Sequence, residues 1–458
     1  MLTLKDVVEG LGEQLLTPCF SVPASTLFKN IVIDSRQVEP GDLFIALHGE
    51  NRDGHDFIEH ALEQGATGIL TERMVPSEPS HEAVAFILVP NTLTALQTIA
   101  SYWRREHPVG VIGITGSVGK TTTKEAVASV LATKYSVLKS EGNLNNEIGL
   151  PLTLLQLSHN HQKAVLEMAM YALGEIKALC DIALPQLGVI TNVGPTHLER
   201  LGSLERIAQA KAELVESLPS DGMAILNGDD HRVRAMRELT QAQVLLYGLD
   251  PTFGVWASDL ASKGLHGIRF RLHQGERSAS VDIPLPGRHS VYSALAAAAV
   301  AFSQGFNLEE VVEGLTHLNY LPRLTVKRGM KGCTIIDDTY NASPASTLAA
   351  LDLLSELKGR KIAVLGDMLE LGSFEVEGHR QVGRRAAEVV DKLMVVGERA
   401  RTIGGEALRC GLKRVHFVNS NDEAAGRLQE CLGPGDYVLV KGSRGMAMEQ
   451  IVDRIKEA

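Results

Sequence analysis

The sequence has 458 residues, of which 44% are hydrophobic, enough to bury two or three separate cores. Its net charge of -10 at pH 7 argues against a nonspecific grip on nucleic acid or an anionic membrane. The longest apolar stretch, near residues 294–302, is too short to span a bilayer, and residues 1–10 lack the pattern of a secretory signal. Five scattered cysteines without a CxxC pair indicate reduced thiols in a cytoplasmic protein.

The first predicted elements form a small α/β unit. Residues 31–36 and 43–47 are short apolar runs around a Pro-Gly turn, and a helical pattern at 56–66 precedes the strand pattern at 68–71. The polar, turn-forming stretch at 76–82 then predicts a boundary. We therefore expect a first domain over residues 1–86.

Two further series of strand and helix patterns follow. The first has apolar runs at 109–115, 163–169, 187–193 and 223–227, and the second has them at 334–338, 361–367, 392–397 and 436–442. Alternation with helices predicts parallel sheets, so we expect a central domain at 87–316 that resembles P-loop ATPases and a Rossmann-like domain at 317–458. The predicted fold is α/β with three domains, and ligands should collect at the carboxyl ends of the strands.

A candidate phosphate loop joins the strand at 109–115 to a helix. It consists of the run Thr115, Gly116, Ser117, Val118, Gly119, Lys120 and Thr121. Backbone N–H groups at a helix N-terminus can surround a triphosphate, Lys120 can reach its β and γ oxygens, and the Thr121 hydroxyl can bind Mg²⁺. Ile114 stands where the general P-loop pattern has glycine, which favours the shorter TGSxGKT form. The loop predicts ATP and Mg²⁺ as cofactors.

Two further residues are candidates for metal binding. Glu167 closes an apolar run at the ligand-binding edge, where an acid is either a metal ligand or a solvated strand end. Lys211 lies in an apolar helix stripe with Leu204, Ile207, Leu214 and Leu218. Such a lysine either extends its amine to water, or is buried with a lowered pKa and reacts with CO₂ to give a carbamate ligand for Mg²⁺.

These motifs together resemble the Mur ligase family. The resemblance rests on TGSVGKTTTKE, GNLNNEIGLPLTLL, EMAM, TNVGPTH, AKAE, PGRHSVYSALAAAA, LPR, DDTYNASP, GDMLELG and KGSRG, which occur in the family's order over nearly the whole chain. The resemblance implies that Lys120 is catalytic and that Thr121 and Glu167 hold one Mg²⁺. It also implies a second Mg²⁺ held by His197 and a carbamylated Lys211, with Glu167 shared.

The resemblance also implies sites for the nucleotide and the substrates. His289 and Arg323 would face the nucleotide. The less favoured alternatives are a helix N-terminal residue for His289 and a surface residue beside Pro322 for Arg323. The other implied substrate-binding residues are Ser35 and Arg36 for the UDP group, Asn143 and Asn145 for the acceptor peptide, and Asp338, Tyr340, Asn341, Ser443 and Arg444 in the C-terminal motifs. Ser290 and Ser293 depart from the asparagines common in the family, and Ala169 and Tyr171 depart next to Glu167.

Within the family, DDTYNASP and GDMLELG are most similar to the member that adds D-alanyl-D-alanine to UDP-N-acetylmuramoyl-tripeptide. That resemblance implies an acyl phosphate intermediate, small-molecule partners only, and a monomer. The ligase that adds the third muramoyl residue competes with this interpretation, but it would carry a DNPR-like motif. A folylpolyglutamate synthase is disfavoured by the N-terminal DSR. A nucleotide-dependent switch, which would need no second carboxylate substrate, represents a different class of protein.

Overall fold

The structure is a computed structural model that describes residues 1–20, 22–49, 52–74, 83–196, 198–318 and 324–457, without the side chains of 17–19. The chain divides into two compact units. The first comprises residues 1–113, 134–170 and 174–186, and the second comprises 114–133, 171–173 and 187–458. The predicted boundary stretch at 76–82 lies outside the described residues.

The amino-terminal part of the first unit contains a small sheet with helices. Its elements are β1 (Leu2–Thr3), α1 (Leu4–Leu11), β2 (Thr17–Phe20), β3 (Leu27–Phe28), β4 (Ile31–Val32), β5 (Leu43–Ile45), α2 (Ile58–Glu63), β6 (Gly68–Thr71), β7 (Ala85–Leu88) and α3 (Thr92–Glu106). Strand order is β2-β7-β6-β5-β4, parallel except for β2, and β1 pairs with β3. Phe44 and Ile69 lie in its buried core, which confirms the predicted α/β unit.

The middle of the chain contains the predicted parallel strands. Its elements are β8 (Gly110–Thr115), α4 (Lys120–Leu131), β9 (Val137–Lys139), α5 (Gly149–Leu154), β10 (Lys163–Glu167), α6 (Glu175–Ala183), β11 (Leu187–Ile190), α7 (Leu198–Leu201), α8 (Leu204–Glu216), β12 (Met223–Asn227), α9 (His231–Ala235), β13 (Gln243–Gly248), β14 (Val255–Ser262), β15 (Ile268–Gln274), β16 (Arg277–Ile283), α10 (Ser290–Ser303) and α11 (Leu308–Thr316). The division between the two units falls within β8.

Within each unit these strands pair in a simple order. In the first unit β10 lies parallel to β9. In the second unit β11, β12, β13 and β14 are successive parallel neighbours, and β14, β15 and β16 then form an antiparallel meander. The sequence patterns did not predict this meander. The long and nearly all-apolar α10 is buried along most of its length.

The carboxyl-terminal part of the second unit is a doubly covered sheet. Its elements are β17 (Thr325–Arg328), β18 (Thr334–Asp337), α12 (Pro344–Ser355), β19 (Lys361–Gly366), α13 (Glu375–Val389), β20 (Lys392–Val396), α14 (Arg401–Arg409), β21 (Val415–Val418), α15 (Asn421–Cys431), β22 (Tyr437–Lys441) and α16 (Glu449–Ile455). Strand order is β17-β18-β22-β19-β20-β21, parallel except for β17. Alternate residues of β19 enter opposite cores, Ala363 and Leu365 on one face and Ile362 and Val364 on the other.

No helix among the described residues combines the length and apolarity needed to cross a membrane. Cys333, Cys410 and Cys431 are free thiols, and the Cys180 thiol donates to Met168 Sδ at 3.8 Å. The α/β class predicted from the sequence is confirmed by these mixed, mainly parallel sheets and their covering helices.

Candidate active site

The loop between β8 and α4 is shaped by two glycines. At Gly116, where φ is +152°, an added Cβ would lie 1.8 Å from Oγ1 of Thr191. Gly119 caps α4 in the left-handed conformation, with φ of 84°. The first amides of α4 have no acceptor within the helix, and a helix N-terminus attracts anions. The local backbone therefore suits a phosphate cradle.

The turn at 191–196, which follows β11, fastens this loop. Oδ1 of Asn192 accepts the Val118 N–H at 2.9 Å, while its Nδ2 donates to the Val118 carbonyl at 2.8 Å. The Ser117 hydroxyl donates to the Gly194 carbonyl at 3.0 Å and accepts the Gly194 N–H at 2.8 Å. Because both partners of each pair exchange hydrogen bonds, the turn fixes the loop's position.

The loop's polar side chains fit a bound nucleotide with a metal ion. Nζ of Lys120 donates to the Gly116 carbonyl at 2.9 Å, so the cation lies over the loop. Thr121 is buried at the start of α4. Oγ1 of Thr115 and Oγ1 of Thr196 are buried, and neither has a hydrogen-bond partner among the residues that the structure describes. Buried hydroxyls are nearly always satisfied, so these two orphans fit a site completed by ligand oxygens or water.

Lys211 is buried on α8, in the apolar stripe where the sequence left open either an amine that extends to water or a buried one. The helix begins after Ser203, whose side chain accepts the Arg206 N–H. Lys211 is only 2% exposed, which excludes the alternative in which its amine extends to water. Desolvation lowers the pKa of Lys211 well below its usual value, and the positive charge of Lys120 lowers it further. Both effects shift the equilibrium toward the neutral, nucleophilic amine.

Glu167 ends β10 in the first unit and is 1% exposed, which excludes the solvated strand end. The Asn145 side-chain amide donates to Oε1 of Glu167 at 2.9 Å, and the Glu167 N–H donates to Ser140 Oγ at 3.2 Å. Asn145 is held in turn, because its carbonyl accepts the Ala169 N–H at 2.9 Å and its own N–H donates to the Asn143 carbonyl at 2.8 Å. Asn145 thus orients the acid.

His289 precedes α10 and lines a cleft in the second unit with Asp352 and Arg385. His289 is exposed to solvent in this cleft. The protein atoms packed around it nevertheless lower the pKa of His289 by desolvation. Asp338 and Asp352 oppose that shift, and Lys441 adds to it. The ring is therefore disposed to be a neutral hydrogen-bonding or stacking group.

Ser290 and Ser293, the two departures from the family pattern, are buried within the fold. The Ser290 hydroxyl donates to the Pro286 carbonyl at 2.7 Å. Ser293 accepts a hydrogen bond of 3.1 Å from Thr123 on α4. Both hydroxyls therefore brace α10 against neighbouring segments.

The predicted substrate-binding residues of the C-terminal motifs lie at the carboxyl end of the C-terminal sheet. Nζ of Lys441, a buried cation that sequence reasoning missed, lies 2.6 Å from the Asp338 carboxylate and donates to the Asn341 carbonyl at 2.8 Å. The only sequence signal for it was the lysine that opens KGSRG. Arg444 is exposed, with its guanidinium 5.9 Å from the centre of the Tyr340 ring. The Asp338 carboxylate and the exposed Arg444 guanidinium thus both lie at the carboxyl end of the C-terminal sheet.

Ser443, in contrast, is a buried structural partner. Its hydroxyl accepts the Leu369 N–H at 2.9 Å, and its own N–H donates to the Asp367 carbonyl at 3.0 Å. These bonds tie KGSRG to GDMLELG, two motifs separated in the sequence. Ser443 orders this edge of the sheet.

The predicted UDP-binding turn is well ordered in the first unit. Asp34 accepts Nε of Arg36 at 2.9 Å and Nη2 at 2.6 Å, which lowers the pKa of Asp34 to about 2. The Arg36 side chain is nevertheless 80% exposed, whereas Ser35 is buried. Arg36 therefore presents an oriented cation at the surface.

A histidine cluster lies in the same unit. His48, His55 and Glu72 offer ligand atoms within 4.8 Å of one another. His55, however, uses both ring nitrogens, with Nδ1 2.6 Å from Asp53 and Nε2 accepting the Glu72 N–H at 3.0 Å. The cluster is therefore a hydrogen-bond network that links His48, Asp53 and His55 to Glu72.

Two predicted site residues, His197 and Arg323, lie outside the described residues. Their assignments as metal and nucleotide ligands stay predictions. The flanking helix α7 starts at Leu198, directly after the position of His197.

The fold and this loop define a nucleotide-binding α/β protein with a helix-capped phosphate site. Comparison with known families extends that class. Residues 27–104 match the Mur ligase family catalytic domain, 114–301 the Mur ligase middle domain, and 322–444 the Mur ligase glutamate ligase domain. These three matched regions confirm the predicted three-domain α/β organisation.

Individual proteins correspond over the whole length. A relative from Bacillus subtilis (strain 168), named UDP-N-acetylmuramoyl-tripeptide--D-alanyl-D-alanine ligase, is 39% identical over 461 residues, covering 100% of this chain and 98% of the relative. A crystal structure of MurF from Acinetobacter baumannii has a TM-score of 0.87 at 31% identity and 98% coverage of both chains. MurF from Thermotoga maritima in complex with ADP has a TM-score of 0.81 at 31% identity, covering 94% of this chain and 97% of that one. The chain belongs to the Mur ligase family.

Proposed function

We propose that this protein is an ATP-dependent ligase that joins D-alanyl-D-alanine to UDP-N-acetylmuramoyl-tripeptide. The product is the UDP-muramoyl-pentapeptide used in peptidoglycan synthesis. The observation that carries the proposal is the end-to-end correspondence with a relative named for this reaction. The phosphate loop and the buried Lys211 supply the chemistry that such a reaction needs.

ATP is proposed to phosphorylate the terminal carboxylate of the tripeptide. Lys120 would offset charge on the transferring phosphoryl group, and the amides at the start of α4 would hold the phosphates. The amine of D-alanyl-D-alanine then attacks the acyl phosphate, forming the amide and releasing phosphate. Positioning of the reactants would supply most of the acceleration. The orphan hydroxyls of Thr115 and Thr196 support a ligand in this loop.

Two Mg²⁺ ions are proposed as cofactors. When bound, Mg²⁺ neutralises phosphate charge during the transfer. We propose the Thr121 hydroxyl, the Glu167 carboxylate, His197 and a carbamate on Lys211 as their ligands. Oxygen ligands suit this cation. A carbamate on Lys211 would also place an anion near Lys120, whose positive charge disfavours a second cation there.

The substrate assignments follow the exposed charges. We propose that Arg36 meets the diphosphate of the UDP group, because an oriented guanidinium gives bidentate bonds to phosphate. We propose that Arg444 meets the carboxylate of the dipeptide, with Asp338 nearer its amine. His289 and Arg323 are proposed to contact the nucleotide, and Asn143 and Asn145 to contribute to peptide placement.

The finer organisation is also proposed. Domain limits at 1–86, 87–316 and 317–458 follow the changes in sequence pattern. A monomer is proposed because each substrate is assigned to residues of one chain. A cytoplasmic location is proposed because five scattered cysteines without a CxxC pair are typical of a reducing compartment.

A coupled phosphate-release assay tests the function. UDP-muramoyl-tripeptides ending in diaminopimelate or lysine are each combined with D-alanyl-D-alanine, diaminopimelate, lysine or glutamate. Phosphate release that needs both a tripeptide and D-alanyl-D-alanine is expected. Release with a UDP-muramoyl-dipeptide and a single amino acid would favour the third-residue ligase. ATP hydrolysis independent of any UDP-peptide would favour a nucleotide-dependent switch.

A further inference from the structure

The segment Gly366–Gly372, here the docking loop, follows β19 and is fixed on its inner side. The Met368 N–H donates to Nε2 of His379 at 3.2 Å, while Nδ1 of that histidine donates to the Glu375 carbonyl at 2.7 Å. The side chains of Met368 and Leu371 are both buried in the C-terminal core. The docking loop is therefore a rigid element, built around a neutral histidine that donates at one nitrogen and accepts at the other.

The outer side of the docking loop is strained. Glu370 has φ of +63°, a left-handed conformation that costs a non-glycine residue free energy. Gly372 follows with φ of +52°. Residues are held in such conformations only where surrounding contacts over-determine them.

That strained side contacts α7. The Glu199 N–H lies 3.4 Å from the Glu370 carbonyl. A Cβ added at Gly372 would lie 2.9 Å from both the N and Cα atoms of Glu199, and 3.3 Å from the carbonyl carbon of Leu198. Glycine is thus required for the backbones of the docking loop and α7 to approach this closely.

Helix α7 connects this contact to the phosphate loop. It begins two residues after Thr196, at the end of the turn whose residues Asn192 and Gly194 hold Val118 and Ser117. On the other side, the docking loop is hydrogen-bonded to Ser443 in the KGSRG motif. This motif lies at the carboxyl end of the C-terminal sheet, here the acceptor edge. The docking loop is therefore hydrogen-bonded to the acceptor edge of the C-terminal sheet on one side, and on the other it closely approaches the helix that follows the turn holding the phosphate loop.

We infer that the docking loop is a positioning element, which sets the acceptor edge against the phosphate loop through the contact of Gly372 and Glu370 with α7. This inference rests on the proposed ligase function. Small displacements of reacting groups reduce rates steeply. Loosening the contact should therefore lower kcat while leaving nucleotide binding, which depends on the phosphate loop's own bonds to the turn, unchanged.

The test compares Gly372→Ala with Gly275→Ala in the full-length protein. Gly275 has φ of +57° with nothing within 4 Å of an added Cβ, so it carries similar backbone strain without the contact. We expect kcat for acceptor-dependent phosphate release to fall about tenfold or more in Gly372→Ala, with ATP affinity within about twofold of wild type. Gly275→Ala should keep kcat within about twofold of wild type.

A second variant guards against misfolding of Gly372→Ala. Glu370→Gly relieves the left-handed strain and adds flexibility without a clash, so it should fold and still lose several-fold in kcat. Wild-type kcat in both folded variants would overturn the inference. An equal loss of ATP affinity and kcat would also overturn it, because the loop would then only support the phosphate site. A wild-type protein without D-alanyl-D-alanine-dependent release would contradict the proposed function instead.

Discussion

Asn145 donates a hydrogen bond of 2.9 Å from its side-chain amide to Oε1 of the buried Glu167. Partners that orient a metal-binding carboxylate typically contribute 10–100-fold to metal affinity. We expect Asn145→Ala to raise the Mg²⁺ concentration for half-maximal activity by about tenfold or more. A magnesium titration of ligase activity measures this concentration. The control is Asn160→Ala, because Asn160 is exposed in a turn. An unchanged magnesium requirement would show that Asn145 does not act through Glu167.

Lys120 lies over the phosphate loop through its bond to the Gly116 carbonyl. Lys120→Ala should lower kcat by about a hundredfold or more, because the transferring phosphoryl group loses its positioned counter-charge. Steady-state phosphate release provides the measurement, and circular dichroism checks the fold. Near-normal turnover in a folded variant would remove the phosphate-loop assignment.

Arg36 is the exposed cation of the first unit, oriented by Asp34. Arg36→Ala should weaken binding of the UDP-muramoyl-tripeptide by about tenfold or more, since a bidentate phosphate contact is lost. Calorimetry measures the affinity, and Arg105→Ala, an exposed arginine of α3, is the matched control. If the affinity of Arg36→Ala equals that of the control, Arg36 is a surface charge.

Lys211 is buried with a lowered pKa, which favours reaction with CO₂. Lys211→Ala should be nearly inactive and regain activity in acetate, whose carboxylate can occupy the vacated position. Wild-type protein incubated with ¹³C-bicarbonate should show a carbamate carbon signal that Lys211→Ala lacks and that the exposed variant Lys413→Ala keeps. Full activity of Lys211→Ala without acetate, or a signal unaffected by that substitution, would contradict carbamylation.

His379 gives the docking loop a pH dependence. Desolvation lowers the pKa of His379 in the folded protein. In the unfolded chain its pKa is about 6.5. Its contribution to stability is therefore complete above that pH and is lost as pH falls toward the lowered folded pKa. His379→Gln should reduce the slope of unfolding free energy against pH below about 6.5, by at most about 1.4 kcal/mol per pH unit.

Urea unfolding at pH 5 to 8 measures that slope, and His317→Asn, at an exposed position after α11, serves as control. If the slope of unfolding free energy against pH is the same in His379→Gln as in wild type, His379 is not the neutral group of the docking loop.

The sequence determined the elements whose pattern is local. Continuous apolar runs between helical stretches predicted the parallel strands. The glycines, lysine and threonine of the phosphate loop predicted its place between β8 and α4, because backbone geometry at that turn restricts the residue types. The stripe on α8 predicted that the stem of Lys211 lies against a core. The meander of β14 to β16 was not predicted, although the alternating apolar and charged residues of β15 are a strand pattern.

Only the tertiary structure decided what depends on residues distant in the chain. The sequence left Lys211 between a snorkelling amine and a buried one, and packing around α8 decided for burial. It left Glu167 between a metal ligand and a solvated strand end, and the burial of Glu167 in the fold excludes the solvated end. The contact of Gly372 with α7 joins positions more than 170 residues apart, and no local propensity reports it, because a glycine's neighbour is set by the fold rather than by its own backbone preference.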